Sequence, residues 1–133
     1  MDGAIRNLTN LTHLDLWGNQ VTNIDSLADL SNIKILELCE NRINDISPLV
    51  NLSELVVIDL GDNRIESIAP LSSLTNCKHI DIEDNRIRDL LPLFENQGFG
   101  NSDYLHLDVE YMHDLSVESR NANIPQLRER KIN

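Results

Sequence analysis

Carboxylates recur along this chain at one fixed spacing, and they are the side chains most able to bind a ligand or take part in a reaction. Asp15, Glu37, Asp59 and Asp81 each stand 22 residues after the one before. Aligned carboxylates can attract a basic partner or hold a divalent cation through oxygen ligands. They can also serve as a general acid and base where burial raises one pKa. Which of these applies depends on the elements that position the carboxylates.

The spacing belongs to a repeat that covers most of the chain. Seven apolar positions and one asparagine return in four copies, of which the first contains Leu8, Leu11, Leu14, Leu16, Asn19, Val21, Ile24 and Leu27. The L-x-L part alternates with period two, which predicts a short strand with one buried face. Apolar residues then recur at every third position, which indicates a tight, 3₁₀-like turn behind the strand. Since one copy cannot bury its apolar side alone, the copies are predicted to stack around a shared core.

An asparagine follows each strand-like segment, at Asn19, Asn41, Asn63 and Asn85. A buried amide at this position can hydrogen-bond backbone groups of neighbouring turns that would otherwise lack partners. We therefore expect these asparagines to form a structural ladder. Prolines fall at one equivalent place on the return path, where no strand hydrogen bond is required, at Pro48, Pro70 and Pro92.

The pattern L-x-x-L-x-L-x-x-N-x-I-x-x-I-x-x-L resembles the leucine-rich repeat. Its 22-residue length and its Asn-x-Ile-x-x-Ile-x-Pro-Leu variant are similar to the bacterial internalin-like and the eukaryotic SDS22-like repeats, over about residues 5 to 115. The resemblance implies an α/β fold, a curved right-handed solenoid with short parallel strands on the concave face and 3₁₀ or irregular turns on the convex face. It also implies binding of other macromolecules, usually proteins. Several internalin-like proteins are surface adhesins, and SDS22-like proteins are regulatory subunits bound to a phosphatase.

We expect a single domain over residues 1–133, with repeats at about 8–29, 30–51, 52–73 and 74–95, a divergent fifth at 96–115 and a cap at 116–133. The fifth repeat carries about three extra residues in a Gly-rich segment, 96–101, which we expect to be flexible. Glu110 stands where the buried asparagine belongs, so the ladder is expected to end there.

The last segment resembles the C-terminal caps of bacterial members of the family. Ser116 is a candidate N-cap of a short helix. Ile124, Leu127 and Ile132 are expected to cover the core of the last coil.

The outward strand positions predict the partner-binding face, which comprises His13, Asp15, Trp17, Glu37, Asp59, His79, Asp81, Glu83, Tyr104 and His106. We expect an electronegative concave surface that steers a basic protein, with Trp17 and Tyr104 as aromatic anchors near opposite ends. The alternative interpretation is that the acids keep the repeats soluble and were copied by duplication. A basic column is expected to pair with acids two residues earlier or in adjacent coils, and it consists of Arg42, Arg64 and Arg86.

A metal site is a further alternative for part of this face. His79, Asp81 and Glu83 alternate along one strand, and His106 lies with Asp108 in the next coil. Such a cluster can hold a divalent ion weakly, although the chain has no D-x-D-x-D-G calcium loop. We interpret these residues as solvated side chains and predict no metal.

Other chemistry is not indicated. Because an open, shallow face is not expected to raise a carboxylate pKa by burial, a general acid–base pair is not predicted. The chain has no Gly-rich phosphate loop, no H-E-x-x-H and no G-x-S-x-G motif. Cys77 occupies a core position, and the acids beside Cys39, Glu37 and Glu40, are expected to raise its pKa. We predict a non-catalytic protein without a cofactor.

Composition narrows the class of partner. The 133 residues include 22 acidic and 11 basic side chains, a net charge of −11, which argues against nucleic-acid binding. No apolar run approaches the roughly 20 residues of a membrane-spanning helix. The segment 1–10 lacks the features of a secretory signal. The resemblance implies a cell-surface or secreted protein if it is internalin-like, and a cytoplasmic one if it is SDS22-like.

The predicted function is therefore recognition of a protein with a basic patch. Two other functions stay open, a structural or self-associating repeat fragment and a divalent-ion-dependent adhesion module. The first strand is expected to be an exposed edge, which is compatible with a monomer or with a weak dimer through that edge.

Overall fold

A computed structural model of the chain describes residues 4–100, 103–107 and 115–123. Five strands of three residues form one parallel sheet in chain order, and they are β1 (His13–Asp15), β2 (Ile35–Glu37), β3 (Val57–Asp59), β4 (His79–Asp81) and β5 (Tyr104–His106). Equivalent repeat positions are paired, so that Leu14 stands opposite Leu36 and Leu36 opposite Ile58. The predicted stack of short parallel strands is confirmed.

The return paths behind the strands are single helical turns. Four are 3₁₀ turns, at Ile5–Asn7, Asp25–Leu27, Ser47–Leu49 and Ala69–Ser73. The next is a short α-helix, α1 (Leu91–Glu95). Pro48, Pro70 and Pro92 lie at the first or second position of their turns, where a missing N–H leaves no helical bond unmade.

The core runs between the sheet and these turns as one continuous apolar column. Each inner coil contributes the same set, and in the second coil the buried residues, all at most 1% exposed, are Leu30, Ile33, Leu36, Leu38, Ile43, Ile46 and Leu49. Burying each such side chain contributes about 1.5–3 kcal/mol. The first coil differs, because Leu8 is 52% exposed and Leu11, Leu14 and Leu16 are only partly buried. Among the described residues, no further coil packs on that side.

Three asparagines join adjacent coils through backbone hydrogen bonds. The Asn63 amide donates to the carbonyls of Leu38 (2.9 Å), Leu60 (3.1 Å) and Gly61 (2.9 Å). Its Oδ1 accepts the N–H of Ile43 at 2.9 Å. Asn41 and Asn85 repeat this pattern one coil before and one coil after.

Asn19 differs from the other three asparagines, because it is exposed and its amide donates only within its own coil. The acceptors are the carbonyls of Leu16, at 3.0 Å, and Trp17, at 3.1 Å. The physical reason is that the first coil has no described coil before it to supply further backbone groups.

The described part of the Gly-rich insertion, residues 96–100, is packed, which differs from the flexible segment expected. Asn96 is 1% exposed and donates to the carbonyls of Leu71 (2.7 Å) and Leu74 (3.1 Å) in the preceding coil. Phe99 is 3% exposed and belongs to the core. The Lys78 ammonium donates to the Gly98 carbonyl. Asn96 and Phe99 are therefore buried against the rest of the solenoid, and Phe99 extends its apolar core.

The described part of the C-terminal segment is attached to the fourth coil. The Ser116 hydroxyl accepts the N–H of Ser119 at 3.1 Å, as an N-cap does, and a π-helical turn follows at Ser119–Asn123. The Ser119 hydroxyl in turn accepts the N–H of Leu90 at 3.0 Å. The expected end of the ladder at Glu110 and the expected core cover by Ile124, Leu127 and Ile132 lie outside the described residues.

Candidate functional site

The outward side chains of the strands form two straight columns on what we call the strand face. The residues at the first position of each strand are Cα partners from one strand to the next, and they are His13, Ile35, Val57, His79 and Tyr104. The third positions are Asp15, Glu37, Asp59, Asp81 and His106. We call the four carboxylates of this second set the acid column. Since neighbouring strands lie about 4.8 Å apart, the acid column places like charges side by side.

Three aspartates of the acid column also have a local structural role. One oxygen of each accepts the N–H of the residue two positions later, from Trp17 to Asp15 (2.9 Å), from Gly61 to Asp59 (3.0 Å) and from Glu83 to Asp81 (3.1 Å). This Asx-type bond shapes the chain as it leaves the strand. It occupies one carboxylate oxygen and leaves the second oxygen for other contacts, as in Asp81, whose Oδ2 lies 2.9 Å from His106 Nδ1.

Burial and repulsion between like charges raise the pKa of two carboxylates on the strand face. The pKa of Asp59 is raised, first by burial and further by the charge of Asp81, while the Gly61 N–H opposes the shift. The pKa of Glu83 is raised by burial and then by Asp81. An open face was not expected to raise a carboxylate pKa by burial, and this expectation was wrong. A cation near these carboxylates would relieve the repulsion.

The residues two positions after the acid column differ from coil to coil in type and in exposure. Trp17 is 59% exposed, Cys39 is partly buried, Gly61 is buried and Glu83 is partly buried. The pKa of Cys39 is raised to about 11, first by burial and then by Asp59 and other aspartates. The direction agrees with the sequence analysis, but the cause is burial and the acid column. This thiol is therefore a poor nucleophile at neutral pH.

One imidazole lies between two carboxylates at the far end of the face. His106 Nδ1 lies 2.9 Å from Asp81 Oδ2, and His106 Nε2 lies 3.2 Å from Glu83 Oε2. We call these three residues the His106 cluster. The sequence placed them near one another, but not the contact of each ring nitrogen with a different carboxylate. Asp108, expected beside them, lies outside the described residues.

The two aromatic residues predicted as anchors are exposed at opposite ends of the sheet. Trp17 follows β1, and Tyr104 is 40% exposed on β5. The Tyr104 ring stacks on His79 with centroids 5.2 Å apart and planes inclined by 26°. It also meets His106 at 6.3 Å. One end of the face thus offers an exposed indole and the other a stacked aromatic surface.

The basic column does not form the pairs expected for it. Within the described ranges, the side-chain ion pairs of arginine and lysine join Arg6 to Asp29, Lys78 to Asp103 and Arg88 to Glu66. The basic column instead joins adjacent coils through its backbone N–H groups, which donate to Val21, Ile43 and Ile65 at 2.8–2.9 Å, from Arg42, Arg64 and Arg86 respectively. Among the described residues, these ion pairs therefore join no guanidinium group to the acid column.

A second set of acids borders the strand face in an unusual backbone conformation. Glu40, Asp62 and Asp84 have φ values of 53°, 50° and 45°, where Gly18 has 67° in the first coil. The left-handed region is costly for residues with a Cβ atom, and glycine adopts it freely. Three coils therefore carry an acid where glycine would be the less strained residue.

Known proteins share the repeat and the fold. Residues 9–51 match the family described as leucine-rich repeats (2 copies). No curated protein sequence matches the chain. In the described part of the chain, no helix has the length and apolar character needed to cross a bilayer.

Bacterial structures are similar over most of the chain. Internalin C2 from Listeria monocytogenes is 37% identical over 81% of this chain, with a TM-score of 0.73. The internalin inlF from the same organism is 30% identical over 97%, with a TM-score of 0.75. A leucine-rich-repeat protein from Leptospira interrogans is 27% identical over 81%, with a TM-score of 0.72. The chain spans 46%, 35% and 28% of these proteins, respectively. Together with the stacked strands and 3₁₀ turns, these matches identify it as a leucine-rich-repeat protein of the internalin-like type.

Proposed function

We propose that the chain is a non-catalytic module whose strand face binds a protein partner with a basic patch. The observation that carries the proposal is the acid column, in which the register places Asp15, Glu37, Asp59 and Asp81 on four successive strands. The net charge of −11 extends the attraction beyond this column. Complementary charge of this kind increases association rates and selects among partners.

The exposed aromatic residues provide apolar contact area, which charged side chains alone do not provide. Tyrosine and tryptophan are enriched among the residues that dominate binding energy at protein interfaces. Trp17 and Tyr104 are 59% and 40% exposed, so both can be buried by a partner that lies along the face. The carboxylates would then orient the partner, and the two aromatic side chains would hold it.

A charge-reversal pair tests this proposal. The chain is immobilised, proteins captured at low salt are identified, and the affinity of the captured protein is measured for each variant. We expect Glu37→Lys with Asp59→Lys to weaken a basic partner by on the order of a hundredfold, mainly through slower association. The loss should also remove most of the salt dependence of binding.

The matched control carries the same charge change away from the strand face. Glu54 and Glu95 are exposed and lie outside the strands, in a turn and at the end of α1 respectively. The pair Glu54→Lys with Glu95→Lys therefore alters net charge equally. We expect this control to keep most of the affinity. Equal losses in both pairs would mean that only net charge matters, and unchanged binding in the first pair would exclude the acid column as the binding surface.

A further inference from the structure

The His106 cluster brings three metal-ligating side chains together from two adjacent coils. Asp81 ends β4, Glu83 follows it by two residues, and His106 ends β5. One donor atom from each side chain lies within 4.8 Å of the other two. Among the described residues, this is the one such group of three or more. Both carboxylates are partly buried, and the His106 side chain is 44% exposed, so an ion in solution can reach them.

The distances fit a metal of the zinc class. Zinc binds imidazole nitrogen and carboxylate oxygen at about 2.0–2.2 Å in tetrahedral geometry, which separates two ligands by about 3.3 Å. His106 Nε2 and Glu83 Oε2 are 3.2 Å apart, close to that separation. An ion placed between them needs little movement of either side chain.

Asp81 is placed to orient the imidazole. Its Oδ2 lies 2.9 Å from His106 Nδ1. In the tautomer that carries its proton on Nδ1, this carboxylate accepts the proton's hydrogen bond, and the lone pair of Nε2 is left for an ion beside Glu83. Metal-binding histidines generally donate their second nitrogen to a carboxylate in this way. Asp81 is itself fixed, because its Oδ1 accepts the Glu83 N–H at 3.1 Å.

The backbone holds the two coils in the required register. Asp81 and His106 are Cα partners in the β4–β5 pair, and the Ile82 N–H donates to the His106 carbonyl at 3.0 Å. The carboxylate of Asp59, whose residue is the Cα partner of Asp81 on the preceding strand, adds further negative charge. A dication would reduce this crowding of like charges.

We propose that the His106 cluster binds one divalent transition-metal ion of the zinc class. Glu83 Oε2 and His106 Nε2 are the ligands, Asp81 is the positioning residue that holds Nδ1, and water or a carboxylate of a partner fills the remaining positions. The proposal concerns this chain alone and stands whether or not the acid column binds a basic protein.

Calorimetric titration of the chain with zinc chloride tests the site directly. We expect one equivalent to bind, with an affinity reduced by on the order of tenfold or more in Glu83→Gln and in His106→Gln, which keep the size of each side chain. Asp81→Asn should reduce it less than either, since the amide still accepts the Glu83 N–H and the two ligands remain. Zinc should also shift the ¹⁵N resonances of the His106 ring in NMR spectra.

Controls on other histidines separate this site from general zinc adsorption. His13 lies on the same face, but its Nδ1 is 2.8 Å from the Thr12 hydroxyl, and His79 stacks on Tyr104. His13→Gln and His79→Gln should change the zinc affinity by less than about twofold. Calcium, which prefers a shell of six to eight oxygens, should bind far more weakly than zinc.

Several outcomes would overturn the proposal. They are no zinc binding at millimolar concentration, equal losses for His106→Gln and the two histidine controls, and an unchanged affinity in His106→Gln. Binding of calcium as tight as that of zinc would also do so, since it would indicate an oxygen-only site. Circular dichroism of each variant shows whether it is folded, and the His106 ring shift in the wild-type protein is a readout that needs no variant.

Discussion

Asn63 joins two coils with a single side chain, and its removal should be costly. It makes four hydrogen bonds, three donated to carbonyls and one accepted from the Ile43 N–H. We expect Asn63→Ala to lower the free energy of unfolding by about 3 kcal/mol or more, because each backbone group left buried without a partner costs about 1–3 kcal/mol. Urea unfolding followed by circular dichroism measures this change.

The matched control is Asn19→Ala in the first coil. Asn19 is exposed, and the carbonyls that it binds can turn to water or to Asn41, which also donates to Leu16. We expect a loss below about 1 kcal/mol. Similar losses at both positions would show that cross-coil bonding contributes nothing beyond the local turn.

Glu40 illustrates a residue whose backbone conformation opposes its side chain. Its φ is 53°, in the left-handed region. We expect Glu40→Gly to raise the free energy of unfolding by about 1 kcal/mol, since glycine has no Cβ to collide with the backbone there. The same change in β2, Glu37→Gly, should instead lower it by about 0.5–1 kcal/mol, because extended backbone gains nothing from glycine. Chemical denaturation measures the free energy of unfolding of both variants. Destabilisation by Glu40→Gly would mean that the Glu40 carboxylate has a stabilising role.

At the scale of elements, the insertion between α1 and β5 depends on one close backbone approach. A Cβ atom built at Gly98 would overlap the backbone of Thr75, whereas one at Gly100 would meet nothing within 4 Å. We expect Gly98→Ala to destabilise the protein by about 2 kcal/mol, because the insertion must move away from the preceding coil. Gly100→Ala should stay within about 0.5 kcal/mol of the wild type.

Thermal unfolding of the two glycine variants measures this difference, and hydrogen exchange locates it. Loss of protection in Gly98→Ala should begin at Asn96 and Phe99, which are buried with the insertion. Equal stability of the two variants would show that the insertion is only loosely attached to the fourth coil.

At the scale of the whole molecule, net charge opposes stacking. The chain has a charge of −11, and the acid column crosses four strands without an arginine or lysine paired to it within the described residues. We expect the melting temperature to rise as sodium chloride increases from about 0.01 M to about 0.5 M, because salt screens repulsion between exposed charges. The variant Glu37→Gln with Asp59→Asn should melt higher at low salt and respond less to salt. An identical salt response would place the repulsion elsewhere.

The coils, the core and the columns follow from the period of the repeat. A strand alternates its side chains and a stacked repeat places equivalent residues side by side, so the period alone predicts that Asp15, Glu37, Asp59 and Asp81 align. Asn41 and Asn63 were predicted from their position at the strand ends in the same way. The spacing of the apolar residues and the asparagines also indicated the family to which the repeat belongs.

The contacts between side chains of different coils do not follow from the period and are seen only in three dimensions. His106 lies between Asp81 and Glu83, and the Gly-rich insertion approaches the backbone of Thr75. Among the described residues, the ion pairs of arginine join Arg6 to Asp29 and Arg88 to Glu66, and the basic column does not pair with the acids expected for it. The physical reason is that periodicity determines which face a residue occupies, whereas contacts depend on side-chain torsions and on distances between backbones that the repeat does not specify. Burial of part of an open face, which raises the pKa of Asp59, likewise depends on how neighbouring side chains fill the space.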